Sequence, residues 1–361
     1  MTTRRPAGNG SRRTTGKPVT GNTSTMKGAD VSEARVIPLH ADDSGVRTRW
    51  RLGGTGATTR RPPELEPEPE PQADPPVEET SPAWEEALEA ALTFARRRFE
   101  GDYAVDDFGF DADLTDNLLL PALRPLYRKW FRVETIGMHH VPDTGGALVV
   151  ANHSGTLPLD GLMTAVALHD VHPAQRHLRT LGADLLFRMP GFGTLARKQG
   201  ATLACNSDAE RLMSSGELVG VWPEGFKGIG KPFHDRYKLQ RFGRGGFVSA
   251  ALRTGVPIIP CSIVGAEEIY PKIGDIKPLA RLFGAPYFPI TPLFPHLGLL
   301  GLVPLPSKWY IEFGEPIRTD TIGAAEADDP MTVFNLTDQV RETIQHTLYR
   351  LLSQRRNAFL G

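Results

Sequence analysis

The spacing of apolar residues has three characters along this chain. Up to about residue 80, large apolar side chains are sparse among Gly, Thr, Arg and Pro. Too little is available to bury, which predicts a disordered tail. Next, Trp84, Leu88, Ala91, Leu92 and Phe99 recur on one helical stripe. Ser81 suits an N-cap, Pro82 the first helical position, and Arg96, Arg97 and Arg98 a closing turn. The stretch "SPAWEEALEAALTFARRRF" is therefore expected to be a helix. A second helix is expected over 118–131, kinked near Pro121 and Pro125.

From about residue 145, short apolar runs alternate with helical periods. "GALVVAN", "RHLRTLGA", "ELVGVWPEG", "VPIIPCSIVGA" and "KWYIEFGEPI" read as strands. "DGLMTAVALH", "SDAERLMSSG", "GRGGFVSAALRTG" and the long "MTVFNLTDQVRETIQHTLYRLLSQRRN" read as helices. Ser207 and Glu210 have capping-box spacing, and Gly216 supplies a stop. This alternation predicts an α/β fold, a layered domain with a largely parallel central sheet flanked by helices. A helical segment and the disordered N-terminal tail precede it. In such sheets sites gather at the carboxyl ends of strands. His153 and Glu224 each lie just past a predicted strand.

Charge refines the boundaries. Arginine dominates up to Arg61, then "PPELEPEPEPQADPP" reverses the sign and reads as an extended linker. The expected divisions are a basic tail and Pro/Glu linker over 1–80, a helical segment over 81–120 and the main domain over 121–361. A formal net charge of -1 gives no global basic excess for nucleic acid. Cys205 and Cys261 form neither a disulfide framework nor a metal pattern, which suits a reducing cytoplasm. The basic N-terminus has no apolar core after it, so it does not read as a secretory signal. No uninterrupted apolar run approaches the roughly 18 residues of a membrane span. The sequence holds no internal repeat, no P-loop, no GxSxG elbow and no GxGxxG after a strand.

The candidate chemistry starts at "VVANHSGTLPLDG". An imidazole titrating near neutrality can take a proton from a hydroxyl. A carboxylate on its other nitrogen fixes the tautomer and stabilises the imidazolium. His153 and Asp160 are the candidates, with six residues between them. On one straight helix that spacing leaves them roughly 10 Å apart along the axis, too far to bond directly. Gly155 and Pro158 instead suggest a loop, with the helix starting near Leu159, that folds Asp160 back onto His153. The plainer alternative is a polar residue at a strand end and an acidic residue at a helix start.

Three further segments bear on that choice. "GFGTLARKQGATLA" carries Arg197 and Lys198, "VWPEGFKGIGK" carries Glu224, Gly225, Lys227 and Lys231, and "GVPIIPCSIVG" is a proline-flanked strand. In this order and spacing the four segments resemble the glycerolipid acyltransferase superfamily, over about residues 120–350. "NHSGTLPLD" is similar to its first motif, "GFGTLARKQG" to the acceptor-side second, "PEGFKG" to the third and "VPIIP" to the fourth. The resemblance implies that 121–361 is an acyltransferase domain. His153 would deprotonate the acceptor hydroxyl and Asp160 would orient His153. Glu224 and Gly225 would shape the acceptor site, and Lys227 and Arg197 would meet acceptor phosphate. It implies acyl-CoA, or acyl carrier protein, as donor and co-substrate, with no cofactor. A lipid acceptor and a membrane surface would be its partners, on the cytoplasmic side, peripheral or monotopic.

Two departures stand out. The family has four residues between histidine and aspartate, against six here. The third motif has Phe226-Lys227 where a small residue and arginine are usual. Arginine grips phosphate bidentately and lysine acts as a point charge. A neutral acceptor such as diacylglycerol or a long-chain alcohol therefore stays open, as does a non-catalytic lipid-binding scaffold.

Other features carry weaker expectations. Lys231, Arg236, Lys238, Arg241 and Arg244 could face CoA phosphates or lipid headgroups, or simply be solvated. His169, His172 and His177 invite a metal, but they straddle a helix end, a proline and a strand, and no carboxylate or cysteine completes a set, so no metal site is expected. His139 and His140 read as surface residues. The apolar, proline-interrupted stretch 287–306 could dip into one membrane leaflet.

Overall fold

The computed structural model describes residues 83–361, apart from Pro190 and Phe283. The expected tail, the linker and the Ser81–Pro82 helix start lie outside the described residues. Nine strands are present among them: β1 (Glu134–Ile136), β2 (Ala147–Ala151), β3 (Leu178–Gly182), β4 (Thr202–Leu203), β5 (Leu218–Val221), β6 (Ile258–Val264), β7 (Gly274–Asp275), β8 (Pro289–Ile290) and β9 (Tyr310–Phe313). Seven make one sheet in the order β1-β9-β6-β2-β5-β3-β4, and β7 pairs with β8 outside it. Within the seven-stranded sheet only the β6–β9 pairing is antiparallel, so the expected α/β architecture with a largely parallel sheet is the one found.

β2 lies at the centre, between β5 and β6, with all five residues buried. A strand covered on both faces needs an unbroken apolar run, which "ALVVA" supplies. Its side chains still alternate. Ala147, Val149 and Ala151 join one core cluster, with the helix Leu159–Asp170, Leu120, Phe131 and Trp309. Leu148 and Val150 join the other, with the helices Asn206–Ser214, Gly246–Thr254 and Pro330–Gln354. Phe131 stacks on Trp309 with centroids 4.5 Å apart. The closing helix buries Val333, Leu336, Val340, Ile344, Leu348 and Leu351, a stripe at three- and four-residue spacing. Asp329 caps it by accepting from the Thr332 amide at 2.8 Å, with Pro330 in the first turn.

Three local expectations need correction. The helix Ala83–Glu100 forms, but Trp84, Leu88, Leu92 and Phe99 are exposed rather than packed. Charge holds its end instead: Arg98 makes two bonds to the buried Asp111 at 2.6 and 2.5 Å, and Arg97 pairs with Asp113 at 2.7 Å. The second helix runs from Ala112 to Trp130 and absorbs its prolines through two π-helical stretches, Thr115–Leu119 and Leu126–Trp130. Proline lacks an N–H and its ring crowds the preceding turn, and the stretch Thr115–Leu119 before Pro121 is wider than a regular α-helical turn. The helix Asn206–Ser214 has no side-chain cap. Its N-cap is Cys205, so Ser207 sits inside the first turn, while Glu210 bonds Arg253 at 3.1 Å. Gly216, at φ +88°, does follow its end.

Candidate active site

Where β2 ends, Asn152 takes over from the backbone ladder. Its side chain accepts from the Ile263 amide at 2.7 Å and donates to the Ile263 carbonyl at 3.0 Å, tying the strand end to β6. This fixes His153 just beyond the carboxyl edge of the sheet. The helix Leu159–Asp170 begins one residue before Asp160, so the intervening segment is a loop. Gly155, at φ +76°, bends it, and a Cβ there would meet the Ala266 carbonyl at 2.9 Å. Only glycine fits both demands.

The loop returns Asp160 to His153, with Nδ1 2.8 Å from Asp160 Oδ2. Asp160 Oδ2 also accepts from the Ser154 amide at 2.9 Å, and Oδ1 from the Gly161 amide at 2.9 Å. The Asp160 side chain is fully buried, while the His153 ring keeps 15% of its surface. A carboxylate accepts and cannot donate, so this geometry puts the proton of a neutral ring on Nδ1 and leaves Nε2 as the basic nitrogen.

Glu224 approaches from the other side. Its Oε1 accepts from the His153 amide at 2.9 Å and its Oε2 from the Gln240 amide at 2.6 Å. Gly225, at φ +53°, turns the chain into the short helix Phe226–Ile229. Gly228 of that helix lies so close that a Cβ would meet the His153 carbonyl at 2.8 Å and Glu224 Cβ at 2.7 Å. His153, Asp160, Glu224 and Gly225 thus form one cluster. Lys227 follows them on an exposed helix face. Arg197 belongs to the helix Phe192–Lys198, and its guanidinium lies 4.6 Å from the centre of the Phe187 ring.

Lys231 is not solvent-facing, contrary to its grouping with the basic loop. It is buried between carboxylates, 3.3 Å from Glu224 and 3.1 Å from Glu267. Burial pushes the Glu267 carboxyl up to about 7, against the pull of Lys231. Arg236 stacks on Phe233 and Lys238 pairs with Asp235, while Arg241 and Arg244 are exposed. His140 is half-buried and bonds the Phe313 carbonyl at 2.8 Å rather than standing on the surface, where His139 does lie.

Several residues here escape sequence reasoning. Trp222 sits with its ring centroid 6.0 Å from that of His153. Its Nε1 and the Ser154 hydroxyl are buried without a hydrogen-bond partner. Tyr287 donates to the Thr156 carbonyl at 2.7 Å, which docks the stretch after β7 against the loop. Trp222 and Ser154 adjoin motif residues and could have been suspected. Nothing local marks Glu267 or Tyr287.

A model of the Acyltransferase family matches residues 132–264. An uncharacterised protein of Mycobacterium tuberculosis is 54% identical over 354 residues, which cover 92% of this chain and 99% of that protein. The mouse 1-acyl-sn-glycerol-3-phosphate acyltransferase alpha is 34% identical over 158 residues, 43% of this chain and 53% of the mouse protein. A human DGAT1/2-independent enzyme synthesizing storage lipids is 26% identical over 199 residues, 55% of this chain and 57% of the human one.

Proposed function

This chain belongs to the glycerolipid acyltransferase superfamily and is an acyl-transferring enzyme; we propose that it moves a fatty acyl group from acyl-CoA to the hydroxyl of a lysophospholipid-type glycerolipid. The observation that carries the reading is the 2.8 Å bond from His153 Nδ1 to buried Asp160. In this reading Nε2 takes the proton of the acceptor hydroxyl. The oxygen attacks the thioester carbonyl, the carbon–sulfur bond breaks, and the imidazolium returns its proton to the leaving thiolate. No covalent enzyme intermediate is required. Asp160 stabilises the transient imidazolium. Glu224 holds the His153 backbone, and Lys227 and Arg197 are candidates for acceptor phosphate. Acyl carrier protein is the alternative donor.

An exposed apolar turn suits a lipid boundary. No helix among the described residues is long and apolar enough to cross a membrane. The 3-10 turn Gly298–Leu302 nevertheless exposes Leu299 and Leu300 at 83% and 71%. Tyr287, from the same stretch, is bonded to the loop after His153. Shallow insertion of that turn would bring the site to its acceptor on the cytoplasmic side of a membrane.

Lys227 in place of the usual arginine favours a second reading, a neutral acceptor such as diacylglycerol or a long-chain alcohol. The storage-lipid enzyme among the relatives is consistent with it. A retired, non-catalytic scaffold is less well supported, because its main argument, the long His153–Asp160 spacing, is met by a loop that still closes the pair.

Radiolabelled palmitoyl-CoA, offered with lysophosphatidate, other lysophospholipids, glycerol 3-phosphate, diacylglycerol and a long-chain alcohol, tests all three. Product that disappears in His153→Ala supports the enzyme reading and identifies the acceptor. Product that persists removes His153 as the base. A blank with both CoA and carrier-protein donors leaves the scaffold.

A further inference from the structure

The carboxylate that completes a set with two of these histidines comes from a distant part of the chain. Asp116, on the π-helical stretch Thr115–Leu119, reaches His169 at the end of the helix Leu159–Asp170 and His177 just before β3. Its Oδ1 lies 2.7 Å from His177 Nε2 and 3.4 Å from His169 Nε2. The three ligand atoms all fall within 4.8 Å of one another, with partial burial. His172, the third histidine of the segment, is excluded. It is buried with Nε2 on the Val141 carbonyl and Nδ1 accepting from the Ala174 amide.

We propose that Asp116, His169 and His177 bind one divalent transition-metal ion, with zinc the best match. Two imidazole nitrogens and one carboxylate are a recurrent zinc ligand set, bonded at about 2.0–2.2 Å, with water in the open position. The surroundings are those of a ligand site. The free nitrogen of a metal-bound histidine characteristically meets a carboxylate. His169 Nδ1 is 3.2 Å from Asp170 Oδ1. Asp170 is itself fixed by Arg124 through three bonds and by Arg128 through one. Phe110 packs edge-on against the His177 ring, with centroids 5.1 Å apart. Two imidazole donors favour a transition-metal ion over calcium or magnesium, which prefer oxygen ligands.

The site is distinct from the acyl-transfer cluster. Asp160 and His169 stand at opposite ends of one helix, roughly 14 Å apart along its axis. His177 precedes β3, at the amino rather than the carboxyl edge of the sheet. An ion there joins three separate elements and acts on stability.

The test uses the full chain without an affinity tag, stripped with a chelator and titrated with zinc. Elemental analysis is expected to give one zinc per chain, with a dissociation constant below about 1 µM. The melting temperature should rise by about 5 °C at saturating ion. Asp116→Asn, His169→Gln and His177→Gln should each abolish both effects, and His139→Gln, at an exposed site, should change neither. The two glutamine variants keep the test readable if Asp116→Asn does not fold. Zinc uptake that needs more than about 1 µM free ion, or that survives these substitutions, overturns the proposal.

Discussion

At His153 the nitrogen that faces Asp160 decides which nitrogen is left for a hydroxyl. Replacing Asp160 by Asn keeps the shape but allows the opposite tautomer, so kcat should fall by about 10²–10⁴ with KM little changed, read by steady-state acyl transfer. Trp222→Phe keeps the ring beside His153 and deletes an unpartnered N–H. A kcat loss of about tenfold would assign that N–H to the substrate, and unchanged kinetics would make the ring a packing element. Glu267 gives a pH signature. Its folded carboxyl is raised to about 7 from 4.5, mainly by burial. Between those values the native state holds a proton that the unfolded chain has lost, so this group's contribution to stability falls as pH rises. Denaturant titrations at pH 5 and pH 7 should show that slope, and Glu267→Gln should flatten it. His153 and Glu224 were legible as candidates because residue type and position after a strand coincide, and Asp160 because an acidic residue opens the next helix. Glu267 was not, because only the fold sets it 3.1 Å from Lys231.

Elements were legible where burial enforces a period. β2, β5, β6 and the closing helix all appear where apolar runs and stripes predict them. Ile344 of that helix is fully buried, so Ile344→Ala should cost about 2–5 kcal/mol in chemical denaturation while leaving kcat of the folded enzyme near its original value. The short helix Phe226–Ile229 is under a tighter constraint. In Gly228→Ala the new methyl would overlap the His153 carbonyl and Glu224. The backbone must shift, at about 1–3 kcal/mol, and acyl transfer should fall with it. Periodicity misled at the helix Ala83–Glu100, whose apolar stripe stays exposed among the described residues. A stripe states which residues share a face, not whether anything covers it. There the arginines, placed by the dipole argument at the helix end, found Asp111 and Asp113 instead.

For the molecule as a whole, the exposed turn 298–302 and the loop after His153 are linked through Tyr270, which donates to the Leu302 carbonyl at 2.5 Å and whose own carbonyl accepts from the Thr156 hydroxyl at 3.4 Å. Leu299→Asp with Leu300→Asp should reduce cosedimentation with anionic vesicles several-fold and leave thermal melting unchanged, since both side chains already face solvent. The sequence by itself determined the α/β alternation, the buried central strand and the four segments that resemble the family's motifs. Each is local, because hydrophobic period and residue type act over a few neighbouring positions. The tertiary structure decided the antiparallel turn of β9 against β6 and the burial of Lys231 between two carboxylates. It also decided the loop closure that sets Asp160 on His153, and the meeting of Asp116 with two histidines more than fifty residues downstream. Pairings of this kind depend on how separate elements pack, and packing distance is not a property of spacing along the chain.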